Sequence, residues 1–511
     1  MAGQEKDQAN GKPSGSLSLW NAETTLPTRA PLDADVETDV CVVGAGITGL
    51  TAAYLLSRTH RVIVLDRYDA GAGDTGRTTA HLTSVLDRDY GSLAESFGEE
   101  EARLVAASHA AAIDFIEGTC HAERLDCSLE RVDGFLVGTK EKGEEFERIA
   151  EAARRAGLAE AEVMDRDGAP AVRFARQAQF HPLRYLRGLL AALERRGVTV
   201  HGGSPVVRVH EGESPRVETA RGPMVACSAV VVATHSPIAG KPAIHMRQSA
   251  NRSYVIAGSV PKGSVPHALL WDTDEPYHYV RVAPLSETEE TLIVGGEDHP
   301  TGVGEDHPSR YRRLEQWARR HFPFLGEVRY RWSGQLLEPK DGVGFAGADD
   351  RQGRLFYATG HSGNGMTHGT LSGVLLAGLV HSGEHLWERV YDPGRRSLAA
   401  ALDMVKEGVK AVAKVAKPPE GGVVQSETRI PAGHGAVVAH NGTRVAVYRD
   451  EADRIWECSA VCTHLGCTVR WNDLERTWDC PCHGSRFDIQ GRVVNGPASR
   501  DLDPARVEKE S

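Results

Sequence analysis

Asp39-Val-Cys-Val-Val-Gly-Ala-Gly-Ile-Thr-Gly-Leu-Thr-Ala-Ala-Tyr-Leu-Leu56 decides how most of this chain folds. Residues 39–43 are a short apolar run that predicts a buried strand, and residues 50–56 carry a helical pattern after the Gly44-Ala-Gly-Ile-Thr-Gly49 turn. A second apolar run, Arg61-Val-Ile-Val-Leu65, ends in Asp66. A strand, a glycine turn, a helix and a second strand form the unit that binds a dinucleotide. Gly44 permits the tight turn, Gly46 lets the backbone approach a pyrophosphate, and Gly49 lets helix pack on strand. The helix N-terminus, with Ile47 and Thr48, then faces the phosphates. Asp66, twenty residues past Gly46 and followed by Arg67, is placed to take ribose hydroxyls.

The most specific chemistry lies near the other end. Cys462-Thr-His-Leu-Gly-Cys467 is followed, twelve residues on, by Cys480-Pro-Cys-His-Gly-Ser485, with fifteen residues between His464 and Cys480. These two motifs strongly resemble the Rieske [2Fe–2S] domain in its disulfide-bearing form. The resemblance implies that Cys462 and Cys480 hold one iron, that His464 and His483 hold the other, and that Cys467 and Cys482 form the disulfide joining the two ligand loops. Two imidazoles in place of two thiolates raise the potential of such a centre. Zinc also takes Cys/His sets, but the C-P-C-H-G-S run adds residues that zinc does not need. A Rieske cluster moves single electrons, so the rest of the chain must supply or consume them.

The segment after Asp66 separates FAD from NAD. Gly71-Ala-Gly-Asp-Thr-Gly-Arg-Thr-Thr-Ala-His-Leu-Thr-Ser84 is small, polar and glycine-rich. It resembles the second FAD contact of the D-amino-acid oxidase-like superfamily, the group of glycine and sarcosine oxidases. Cys227-Ser-Ala-Val-Val-Val-Ala-Thr-His235 resembles the strand that returns to the FAD domain. Arg354-Leu-Phe-Tyr-Ala-Thr-Gly-His-Ser-Gly-Asn-Gly-Met-Thr367 resembles the C-terminal FAD loop, running into a helix over 371–379. The resemblance implies FAD contacts at Thr75, Arg77, Thr79, Ala80 and His81, and again at Gly360, His361, Gly363, Asn364, Gly365, Met366 and Thr367. A helix N-terminus at the second set would stabilise the anion of reduced flavin. No second GxGxxG unit exists in the sequence, so a separate nicotinamide domain is not expected.

A chain of 511 residues calls for two or three domains. The expected fold class is an α/β FAD-binding domain, Rossmann-like and of the glutathione-reductase type, with an antiparallel-sheet substrate domain and a C-terminal all-β Rieske domain. The expected boundaries are a disordered polar tail over 1–35, the FAD-dependent oxidoreductase domain over 36–395 with its substrate sheet at about 245–335, a linker helix over 396–417, and the Rieske domain over 420–511. The linker pattern is Leu398, Leu402, Val405, Val409, Val412 and Val415, spaced by threes and fours. Helical periodicity also marks 98–118 and 144–156, and Pro182 opens a further helix that closes at Arg195-Arg-Gly197. Cys41, Cys120, Cys127 and Cys227 read as buried or bystander thiols. A net charge of −11 argues against nucleic acid or an anionic membrane surface as partner. No run of eighteen apolar residues predicts a membrane span, and the polar N-terminus lacks the apolar core of a signal peptide, so a cytoplasmic protein is expected.

The substrate is less legible. Amino-acid oxidases of the superfamily carry an arginine four residues after the Trp of a W-x-G segment, but Trp332-Ser-Gly-Gln-Leu336 places leucine there. A carboxylate needs a bidentate partner. Arg281 or Arg331 could serve, and Glu338 could instead pair with a cationic amine. A mononuclear iron site would need two His and a carboxylate. Its candidates, Glu297-Asp-His299 and Glu305-Asp-His307, read better as a solvated polar loop. The sequence therefore reads as an FAD-dependent oxidoreductase of a small amine-type substrate, passing electrons singly through the cluster to an external one-electron acceptor protein. Two alternatives stay open: an electron-transfer or redox-sensing protein with no organic substrate, and a reductase with electrons flowing from cluster to flavin.

Overall fold

The computed structural model describes residues 16–303, 307–349, 354–395, 423–424, 430–440 and 443–505. The expected linker helix over 396–417 lies outside the described residues. The first sheet runs Phe345–Ala348, Leu355–Thr359, Ala229–Val232, Val40–Val43, Val62–Leu65, Thr199–His201. All its pairings are parallel except the one made by Phe345–Ala348. Val40–Val43 and Ala229–Val232 are buried at every position, as strands covered on both faces must be. The covering helices include Ile47–Leu56 and Gly365–Ser382, which pack on each other. Both are apolar nearly all round, which suits two-sided burial.

The second sheet is larger and mostly antiparallel. It runs Val328–Pro339, Gln248–Pro261, Glu289–Pro300, His278–Pro284, Ala268–Asp272, Glu130–Val137, Ala169–Gln179, His81–Leu82. The expected strands of 245–335 supply five of these, and the rest come from 81–179, where the sequence reading placed helices and left the strands unassigned. Three helical expectations meet Glu99–Glu123, Gly143–Arg155 and Pro182–Arg195.

The expectation of a disordered tail is corrected within residues 16–35: the short helix Leu19–Glu23 buries Leu19 and Trp20, each 1% exposed, in the main core. Trp20 is anchored by donating Nε1 to Thr78 O at 2.6 Å. A tryptophan inside a polar, proline-bearing stretch signals burial that composition averages away.

The C-terminal domain holds two small sheets. One is Val423–Val424, His434–His440, Thr443–Arg449 and Ile455–Ser459; the other is Arg470–Asn472, Thr477–Asp479, Arg486–Phe487 and Val493–Asn495. Its core holds Tyr448 and Trp478, both fully buried, and half-buried Trp471 packs on both, its ring centroid 5.0 Å from that of Tyr448 and 4.9 Å from that of Trp478. Gly435 faces this stack, where a Cβ would lie 2.6 Å from Trp471, so the sheet and the indoles can close on each other.

Candidate active site and cluster centre

The ends of the parallel strands open into a cavity of about 910 Å³. Its floor is the Gly44–Thr48 turn. Gly44 has φ +111°, and a Cβ there would lie 2.3 Å from Ala233 O, so only glycine fits. At Gly46 a Cβ would meet only the Thr75 hydroxyl, at 3.1 Å, which leaves the backbone open to a phosphate. Asp66 closes this end of the unit. Its Oδ2 accepts from Ala45 N at 2.6 Å and its Oδ1 from Tyr68 N at 2.8 Å, and each oxygen keeps a lone pair for a ribose hydroxyl. Burial raises the Asp66 carboxyl to about 6, against these two hydrogen bonds.

The opposite wall is the loop Gly360–Asn364 and the first turn of Gly365–Ser382. Five buried polar atoms of the cavity lining, Nε2 of His81, His235, His361 and His368 and Oδ1 of Asn364, have no hydrogen-bond partner in the protein. Burial holds His81 and His361 down to about 3, so both are neutral rings. A polar heterocycle with donors and acceptors on its edge fits such a wall.

In the C-terminal domain, Gly466 N donates to Cys462 O at 2.9 Å and Gly484 N to Cys480 O at 3.0 Å, closing the two ligand loops. Cys467 and Cys482 are disulfide-bonded across them, with Cα atoms 6.5 Å apart. Cys462 and Cys480 are buried and unbridged. The rings of His464 and His483 lie 5.0 Å apart, and the Nδ1 of each is buried without a protein partner. Two free thiols and two orphan imidazole nitrogens on paired loops fit a [2Fe–2S] cluster of mixed ligation. A hydrogen bond from the Cys480 thiol brings Cys462 down to about 7, with further help from the His464 and Leu465 N–H groups and the Ser485 hydroxyl.

Residues 39–379 match the family described as FAD dependent oxidoreductase, and residues 422–506 match the Rieske [2Fe-2S] domain. The chain belongs to the FAD dependent oxidoreductase family. It binds FAD, and its Rieske domain binds a [2Fe–2S] cluster. The Bacillus subtilis (strain 168) protein YhfW, named for a Rieske 2Fe-2S iron-sulfur centre, is 32% identical over 501 residues, covering 95% of this chain and 96% of that protein. The Escherichia coli (strain K12) gamma-glutamylputrescine oxidoreductase is 26% identical over 375 residues, 68% of this chain and 85% of that one. In fold, the chain is similar to the crystal structure of glycine oxidase from Geobacillus kaustophilus, with a TM-score of 0.59, 18% identity, and coverage of 71% of this chain and 99% of the other.

Most of the expected FAD contacts line the one cavity: Gly44, Gly46, Ile47, Thr48, Asp66, Arg67, Thr75, Arg77, Thr79, His81, Gly360, His361, Gly363, Asn364, Gly365 and Met366. Gly49 lies behind the wall, where a Cβ would sit 1.9 Å from Gly44 O, consistent with a packing role. Ala80 and Thr367 are also behind it, each fully buried, with the Thr367 hydroxyl donating to Asn364 O. Arg77 lines the cavity, but its guanidinium turns away and pairs with Glu475 of the Rieske domain.

The arginine candidates for a substrate clamp fail. Arg281 Nη1 donates to three backbone carbonyls, Thr79 O, Ala80 O and Phe180 O, and the residue does not line the cavity. It braces the flavin-facing loop from behind. Arg331 pairs with Glu315 at 2.8 Å. The expected solvated loop at Glu297-Asp-His299 is instead the end of the strand Glu289–Pro300, where Glu297 and His299 are buried, Glu297 taken by Arg313 at 2.6 Å and His299 Nε2 bonded to Tyr254 OH at 2.9 Å. Glu305 lies outside the described residues, as does the side chain of His307. Glu338 does line the cavity.

Sequence reasoning missed Asp87, Tyr277 and Tyr279, which share the cavity wall with Glu338. It also missed Val494, Asn495 and Gly496, through which the Rieske domain contributes to the same wall. No motif flags the first three. The Asn495-Gly-Pro497 turn just after the ligand loops is the available signal for the others.

Proposed function

We propose that this protein oxidises a small cationic amine and passes the electrons singly, through its cluster, to an external one-electron acceptor protein. The observation that carries this reading is the acidic wall of the cavity. Asp87 Oδ2 accepts from Gly363 N at 3.3 Å, next to the flavin loop, and Glu338 Oε2 accepts from Asn251 Nδ2 at 2.6 Å. Asp298 stands behind them, taking the Tyr277 hydroxyl at 3.2 Å. Of the three arginines that line the cavity, Arg67 stands beside Asp66 at the ribose end, Arg77 is held by Glu475, and Arg88 donates to Asp341 O at 2.8 Å and Ser92 O at 3.1 Å. Such a wall attracts an ammonium and repels a carboxylate.

Burial first, then the neighbouring charges of Asp87 and Asp298, raise Glu338 to about 7. A carboxylate poised there can take the proton of a substrate ammonium, which leaves the neutral amine able to release hydride. Tyr277 and Tyr279 wall the amine in, with Tyr279 OH bonded to Ser253 Oγ at 2.6 Å. Bound FAD supplies the hydride acceptor and the cluster the one-electron outlet. The similarity to an oxidoreductase whose name specifies an amine, gamma-glutamylputrescine, supports the same reading.

The test is anaerobic mixing of the holoprotein with a panel of amines while flavin absorption is followed. Bleaching by alkyl mono- and diamines, and none by glycine or sarcosine, is the expected result. Bleaching by glycine, or only by a reduced ferredoxin, would overturn it.

A further inference from the structure

Three sets of contacts press the histidine-bearing face of the Rieske domain onto the flavin domain. His245, on the short helix Ala243–Met246 and 7% exposed, lies edge-on to both ligand rings, its centroid 5.0 Å from that of His464 and 6.5 Å from that of His483. Gln335, on the flavin cavity wall, donates Nε2 at 2.9 Å to the carbonyl of Gly484, the residue after ligand His483. Gly484 has φ +77°, and a Cβ there would lie 2.2 Å from Gln335 Nε2, so glycine is what allows the approach. Asn495 of the Rieske domain lines the same cavity and donates Nδ2 to Asp74 Oδ2 at 3.3 Å.

We propose that Gln335 and His245 are positioning residues for electron transfer between the flavin and the cluster of this same chain. Single-electron transfer weakens steeply with distance, and more steeply across gaps than through bonds. From the cavity wall to the cluster ligand the route is the Gln335 side chain, one hydrogen bond to Gly484 O, and then the covalent chain to His483. His245 packs edge-on against both imidazoles and fixes that side of the ligand rings, which stay half-buried. Reduced flavin carries two electrons and a proton from each hydride. Two successive one-electron transfers reoxidise it, each reducing one ferric ion of the cluster to ferrous, and an external one-electron acceptor protein reoxidises the cluster after each. The flavin proton is released into the cavity.

The inference rests on both groups being bound and is independent of the amine reading, so the test bypasses substrate. In the full-length holoprotein the flavin is reduced by a flash with a deazaflavin photosensitiser, and cluster reduction is followed by its visible absorption. Gln335→Met, which breaks the hydrogen bond to Gly484 O, and His245→Phe, which changes the ring packed on both ligand imidazoles, should each slow cluster reduction several-fold. The midpoint potentials of both centres should stay unchanged in Gln335→Met. The EPR spectrum of the reduced cluster should shift in His245→Phe and not in the surface variant Arg331→Leu. A wild-type rate in either variant, or a slowing fully accounted for by shifted potentials, overturns the proposal. If Gln335→Met loses its cluster, the rate and EPR spectrum of His245→Phe decide alone.

Discussion

Arg77 Nη1 donates to Glu475 Oε2 at 3.1 Å, so residues 398 positions apart in sequence share one buried ion pair across the two domains. Glu475 also takes the Ser16 hydroxyl at 2.8 Å and that of Ser333. Its side chain is 1% exposed. The charges of Arg252 and Arg486 also act on it, so the pair is the centre of a network rather than an isolated bridge.

Glu475→Gln should therefore destabilise the chain by about 3–5 kcal/mol, because it strands buried guanidinium charge. Denaturant titration followed by cluster absorption measures this, and unchanged stability would refute the role. The pH dependence has a definite sign. Burial pushes Glu475 up, but the Arg77, Arg252 and Arg486 charges outweigh it and bring the carboxyl down to about 2. Its contribution is thus complete above the unfolded value of about 4.3 and is lost as pH falls toward about 2.

Glu338→Gln should slow flavin reduction by amine on the order of 10²–10⁴-fold, the usual share of a general base. In the wild type, the rate should rise with pH through about 7, where Glu338 deprotonates. That limb should vanish in the variant, leaving only the limb set by the amine itself. Stopped-flow reduction across pH reads both, and a limb at about 7 that persists in the variant counts against Glu338 as proton acceptor.

The Ser485 hydroxyl reaches Cys462 Sγ and accepts from Ala498 N at 3.0 Å, which fixes its orientation at the cluster. Phe487, fully buried in the same core, has no donor to offer. A hydrogen bond to a cluster or ligand sulfur stabilises the more negative reduced state and raises the potential. Of the pair of positions 485 and 487, where a hydroxyl could reach the cluster, only Ser485 carries one, so the potential should fall in the lower or middle part of the range of about −150 to +300 mV for Rieske centres. Ser485→Ala should lower it by about 40 mV, one hydrogen bond of about 1 kcal/mol acting on a one-electron couple. Phe487→Tyr should raise it. Voltammetry of the full chain checks both, and a wild-type value near the top of the range would refute the pairing.

Asp66→Ala should cost FAD binding about 1.5–3 kcal/mol while leaving the cluster spectrum intact. The residue also braces Ala45 N and Tyr68 N, so the phosphate-facing turn loses its support at the same time. FAD content after dialysis gives the answer, and full retention would remove Asp66 from the site.

Local constraint made the flavin turn and the ligand loops readable. Gly44, Gly46, Cys462 and His464 each answer to a steric or donor requirement that repeats at fixed spacing. Trp20 and Arg281 were misread for the opposite reason. Trp20 lies in a stretch whose composition suggests solvent, and Arg281 has the right charge for a clamp, but both are spent on carbonyls brought near by the tertiary fold. The acidic wall was half legible: Glu338 stood out beside the altered W-x-G segment, whereas Asp87 reaches the cavity only through its loop's contact with Gly363. Gln335 lies in the Trp332–Leu336 segment that lacks the arginine, and its partner Gly484 belongs to another domain.

The presence of Val494, Asn495 and Gly496 in the flavin cavity wall ties the chain's flavin to its iron supply. Metal binding is folding energy for a small domain whose ligands must be brought together. A cell short of iron would make chains whose Rieske domain is less firmly folded, and these would present an FAD cup with part of its rim loose. Flavin would leave more readily from the very molecules that lacked a cluster. Iron scarcity would then empty both centres together, rather than leaving an FAD-loaded chain without its iron.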